Sequence, residues 1–153
     1  MNAYLEANLA VLEELCDELI ALLRRLDDDC VNWQPLAKDT NSIAVLVTHT
    51  TGSINSWLAR ALGETAARDR DAEFRAHATT RDLIGLVERA RDDARRSLER
   101  LDTMDPAEKR PVRRLSRGED ATVSAAWCVE HAVIHAGEHW GQIQLTRQTY
   151  AAR

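Results

Sequence analysis

Lysine is nearly missing from this chain of 153 residues: Lys38 and Lys109 are the only two among 20 basic positions, and the rest are arginine, a codon bias that points to a GC-rich bacterial genome. A basic excess is missing as well. Acidic residues number 25 and the net charge is -5, with the two signs interspersed, so no basic patch marks a nucleic-acid partner. Cys16, Cys30 and Cys128 are odd in number and far apart, and no Cys-x-x-Cys pair exists. That spacing implies neither a disulfide framework nor a zinc ribbon, and it fits a reducing cytoplasm. No apolar run approaches the ~20 residues that cross a bilayer, and the N-terminus is acidic and amphipathic rather than basic then apolar. The expectation is a soluble, unprocessed cytoplasmic protein with no membrane partner. No strand alternation and no internal repeat stands out.

What is present is helical periodicity. The length suits one domain over 1–153, and 44% hydrophobic residues suffice for a packed core. Leu5, Leu9, Leu12, Cys16, Leu19, Leu23 and Leu26 recur at spacings of three and four, which predicts an amphipathic helix over 2–28 that breaks at Asp27-Asp28-Asp29. Asn41 or Ser42 can cap a second helix over 42–63. Thr79 or Thr80 can cap a third over 79–102, with Leu83, Leu86, Val87, Ala90, Ala94, Leu98 and Leu101 facing inward and a solvated charge run outside. A fourth runs over 122–150. Residues 64–78 are polar without apolar period; at ~3.3 Å per residue they can span the ~33 Å of a 22-residue helix, so they read as a long crossover between helices 2 and 3. Residues 102–120, with Pro106, Pro111 and Gly118, read as a second long connection. The predicted fold class is an all-α four-helix bundle.

Histidine carries the chemistry. His131, His135 and His139 stand four apart, on one side of a helix, where two imidazoles can share a metal ion but cannot complete its coordination. The remaining candidate in an apolar helical pattern is His49, whose helix face carries Val45, Gly52, Ser56 and Ala59. These residues are small enough either to leave space beside the imidazole or to let helices pack closely. His77 lies among polar residues of the crossover and reads as a bystander. Cys128, Ala132, His135, His139, Gln142 and Thr146 form a seam that is small and polar where a plain core would carry leucine. One buried histidine is usually a hydrogen-bonded core residue. Three need partners, and one metal ion partners all three. Imidazoles without thiolate suit Zn, Ni, Fe, Cu or Mn, which affinity order does not separate, and an incomplete shell leaves a position for water or substrate.

Asn41-Ser42-Ile43-Ala44 with Leu46 and His49, followed by His131-x3-His135-x3-His139-x-Gly141-Gln142, resembles the DinB family of DinB/YfiT-like metalloenzymes over the whole chain. The resemblance implies an up-down-down-up four-helix bundle, a homodimer and a divalent metal ion held by His49, His135 and His139. It casts His131 as a neighbour outside the ligand set, although one turn before His135 it could replace a ligand. Trp140 stands where many relatives have arginine, which weakens the case for an anionic substrate recognised there.

Some relatives are thiol-dependent S-transferases or isomerases. The leading expectation is therefore a metal-dependent enzyme transferring a low-molecular-weight thiol to a small electrophile. Its rivals are a metal-dependent hydrolase and a non-catalytic, metal-stabilised dimeric stress protein. Gln142 would orient a ligand from outside the first coordination shell, whereas Glu130 and Glu138 point roughly 100° from their neighbouring histidines and make poor bases. The sequence offers no convincing general base. With unperturbed pKa values near 6.5, three imidazoles predict metal affinity that falls steeply below about pH 6.

Overall fold

The computed structural model describes residues 1–114 and 119–153. Among them the chain forms α1 (Ala3–Leu23), α2 (Asp28–Asn32), α3 (Ile43–Ala61), α4 (Arg70–Glu73), α5 (Thr80–Leu101), β1 (Lys109–Arg114), β2 (Glu119–Ser124) and α6 (Ala125–Ala151). The protein is mostly helical, and none of the described helices is long and apolar enough to cross a membrane.

Local sequence explains where the helices start and stop. Asn2, Asp27, Ser42, Thr79 and Ser124 each accept a hydrogen bond from the backbone N–H three residues on, satisfying a donor that a helix N-terminus leaves free. Of the alternatives open in the sequence, Ser42 and Thr79 are the caps. Gly63, at φ 78°, ends α3 in a left-handed conformation that side chains with a Cβ rarely adopt.

Three expectations are corrected. The first predicted helix, over 2–28, stops at Leu23, and a separate short helix starts at Asp28. The acidic run indeed marks a break, because Asp27 caps α2 and Asp28 and Asp29 sit in its first turn, where negative charge is favourable. The helical reading holds in the main but gains a small two-stranded sheet, since part of the expected connection over 102–120 forms an antiparallel hairpin pairing Lys109 with Ser124 through Arg114 with Glu119. Its Gly118 lies outside the described residues. The hairpin takes the start predicted for the last helix at 122, so α6 begins at Ala125. Val112 and Val123 bury against the helices, and Arg110, 5% exposed, donates from Nε to the Ala61 carbonyl at 2.9 Å. That places a cation on the negative end of α3 and pins hairpin to helix. Third, the crossover over 64–78 is not a bare spacer, because it contains α4 and buries Glu73.

α1 packs against α5 and α6, and α3 packs against the same two helices. The core divides into two apolar clusters. One holds Leu5, Leu9, Leu12, Ile54, Leu58, Ala94, Leu98, Cys128 and Ala136; the other holds Cys16, Leu19, Leu23, Ile43, Val47, Leu83, Val87 and Ile143. On α3 the boundary falls between Val47 and Ile54, and on α6 between Ala136 and Ile143. His49 and His139 lie within those intervals, and His135 stands one residue before the α6 interval.

The leucine seam of α1 is buried as its period predicts, and Leu12 is 1% exposed. Leu12→Ala should therefore cost about 2–5 kcal/mol, read as a lower urea midpoint with an unchanged denaturant slope. A loss under 1 kcal/mol would mean that the site repacks.

Candidate metal centre

His49 projects from the middle of α3, and His135 and His139 project from successive turns of α6. The packing of α3 on α6 brings all three together. Nε2 of His135 lies 3.2 Å from Nε2 of His49 and 3.2 Å from Nε2 of His139. Zinc–nitrogen bonds of about 2.0–2.1 Å place the donors of a tetrahedral ion about 3.3 Å apart, which the two separations from His135 match, and the three ligand atoms all lie within 4.8 Å of one another. His49 is buried while His135 and His139 are half-buried, which leaves the cluster open on the α6 side.

The far nitrogens decide which tautomer each ring adopts. His139 Nδ1 lies 2.8 Å from Gln142 Oε1, an acceptor, so Nδ1 carries the proton and donates it. His49 Nδ1 lies 3.0 Å from Glu73 Oε2. Arg68 holds that carboxylate through Nε to Oε1 at 2.6 Å and Nη2 to Oε2 at 2.8 Å, and Nη2 also reaches the His49 carbonyl at 3.4 Å. Nη2 lies 3.3 Å from His49 Nδ1 too, and the Glu73 carboxylate is the acceptor available to a protonated Nδ1. With Nδ1 protonated on both, the two rings present Nε2 lone pairs to His135. A hydrogen on His135 Nε2 could satisfy only one of them. The donor set is thus short of protons at its centre, which is what a cation binding there requires.

Burial favours the neutral form of His49 and His135. Burial lowers the His49 pKa to about 4, assisted by His139 and Arg68 and opposed by Glu73. His135 is lowered by burial and then by His139 and His131, while Glu138, 3.6 Å from its Nδ1, acts the other way. Proton competition at these two ligand positions is therefore displaced below the pH 6 expected from unperturbed imidazoles.

The structure brings together His49, His135, His139 and Gln142 from the sequence reading. His131 contributes no atom to the convergence. Its ring lies parallel to Trp127 at 4.8 Å and to His135 at 5.7 Å between centroids, an aromatic stack behind the ligand position. His77 lines a separate recess with Asp28, Asp29, Asn32, Trp33 and Arg153. Glu73, Arg68 and Phe74, whose ring packs on His49 at 4.8 Å, were not singled out in the sequence. Their available signal was the chain's one phenylalanine, standing beside a glutamate in an otherwise polar crossover. The space expected beside Gly52 is filled: a Cβ there would lie 2.3 Å from Glu73 Oε1.

The profile of the DinB superfamily matches residues 11–143. The chain belongs to that superfamily. A conserved protein from Enterococcus faecalis of known crystal structure superposes with a TM-score of 0.78, over 100% of this chain and 99% of its own, at 12% identity. That likeness shows a shared fold. No curated protein sequence matches this DinB chain.

Two outcomes follow from the geometry. In the unfolded chain His49 protonates near pH 6.5 and in the folded, metal-free protein only near 4, so the unfolded state binds the additional proton between those values. Stability of the metal-free protein should fall as pH drops from about 6.5 to 4. His49→Gln should flatten that slope in urea titrations, and an unchanged slope would contradict the assignment. His77→Ala should leave stability within about 0.5 kcal/mol and metal content unchanged.

Proposed function

We propose that this DinB protein is a divalent-metal-dependent enzyme that transfers a low-molecular-weight thiol to a small electrophile. The observation that carries the proposal is the convergence of three imidazole nitrogens where α3 packs on α6. His49, His135 and His139 would hold Zn, Ni, Fe or Mn through Nε2, and Gln142 would fix the His139 ring. When bound, such an ion lowers the pKa of a coordinated thiol or water and supplies a nucleophile at neutral pH. The thiol gives up its proton, its sulfur bonds to the electrophilic carbon, and the leaving group departs with the electron pair of the broken bond.

The protein's own thiols support an external one. All three cysteines are buried, and burial raises each thiol, Cys16 to about 11, so none is a ready nucleophile. Free, unpaired cysteines also agree with a cytoplasmic setting. We further read α1, α3, α5 and α6 as an up-down-down-up four-helix bundle, since α3 and α5 are neighbours joined by the crossover over 64–78, and we read the working protein as a homodimer.

Turnover of a model electrophile separates the readings. The transferase requires added thiol; a hydrolase consumes an activated ester or amide without it. If neither turns over while metal still raises the melting temperature, the metal is structural. Single replacement of His49, His135 or His139 by alanine should each remove most of the bound metal in elemental analysis of untagged protein. His131→Ala should remove far less. Loss on His131→Ala with retention on His139→Ala would place the ligand pair one turn earlier.

A further inference from the structure

We propose that Glu73, clamped by Arg68, is the positioning residue of the cluster: the crossover docks onto α3 to fix the Nδ1–H tautomer of His49 and aim its Nε2 lone pair at the shared centre. The inference deepens the metal reading above and rests on it. Three independent features support it. Glu73 is 7% exposed, although it sits in a four-residue helix within a charged segment that has little apolar surface to drive its burial. Both carboxylate oxygens are engaged by Arg68, and Oε2 is left to accept from His49 at 3.0 Å, so the ring faces an acceptor of fixed position. The slot itself is cut by Gly52, one turn after His49, where any side chain would occupy the place of Oε1.

The physical reason for such a carboxylate is tautomeric. A free imidazole favours neither nitrogen strongly enough to keep Nε2 bare, and rotation about its side-chain torsions moves the lone pair off target. An acceptor on Nδ1 does both jobs, holding the proton on the far side and locking the ring plane. Arg68 keeps the buried carboxylate paired, so the outer hydrogen bond leaves no isolated charge beside the ligands.

The test uses full-length protein and zinc alone. In metal-free wild type, nitrogen-15 NMR should find His49 with a protonated Nδ1 and a bare Nε2. Glu73→Ala should give a mixture of tautomers and a zinc affinity 10–100-fold weaker by chelator competition. Glu73→Gln keeps an amide oxygen that can accept from Nδ1 and should lie between the two. Gly52→Ala changes no polar group and introduces the better helix former, yet it should expel Glu73 and reproduce the tautomer mixture and the affinity loss. A purely structural Glu73 would lower melting temperature while leaving tautomer and affinity at wild-type values in protein that is still folded, and that result overturns the proposal. If wild type binds no zinc, the metal reading fails by itself, and the NMR comparison still decides the role of Glu73: an unchanged tautomer in both variants overturns it.

Discussion

Polar rings that are buried need partners, and that constraint shapes the middle of this protein. Two apolar clusters fill the ends of the helical core, and the histidines occupy the level where they meet. Leucine there would join the clusters into one. Imidazoles interrupt them, and each ring nitrogen left without a partner carries a desolvation cost. The Nδ1 atoms of His49 and His139 have partners in Glu73 and Gln142, whereas the Nε2 atoms face one another. A cation at that centre would resolve the deficit, and the backbone around the histidines is satisfied locally. Thr50 and Thr51 return their hydroxyls to the carbonyls of Leu46 and Val47, so α3 stays satisfied while buried on the histidine's flank.

Regular helix chemistry was legible from sequence. The leucine period of α1, the caps Ser42 and Thr79 and the inward row of α5 each follow from one local rule, and tertiary packing did not override it. The paired histidines of α6 were legible for the same reason, because a spacing of four fixes relative direction on a helix. His49 needed an argument from composition, and the small face beside it allowed either space or close helix packing. The structure fills that space from the crossover, a contact between residues far apart in sequence that periodicity cannot encode.

The hairpin and the buried contacts of the crossover were missed for a common cause. β1 carries Pro111 and four basic residues around one buried valine, a pattern that strand rules discount. It is held instead by the helices beneath it and by Arg110 on the end of α3. Glu73 likewise looks solvated until Arg68, His49 and Gly52 are placed around it. In both segments a charged residue is buried by a specific polar partner rather than by hydrophobic period. Such partners are set by tertiary structure, and for Glu73 the partner is the candidate metal site.

The account turns on three imidazole Nε2 atoms sharing one divalent ion, and X-ray absorption of the zinc-loaded protein in solution tests this most directly. It predicts three imidazole nitrogens at about 2.0–2.1 Å with the remaining position filled by oxygen from solvent. A sulfur scatterer near 2.3 Å, or a shell with fewer than three imidazoles, would contradict it.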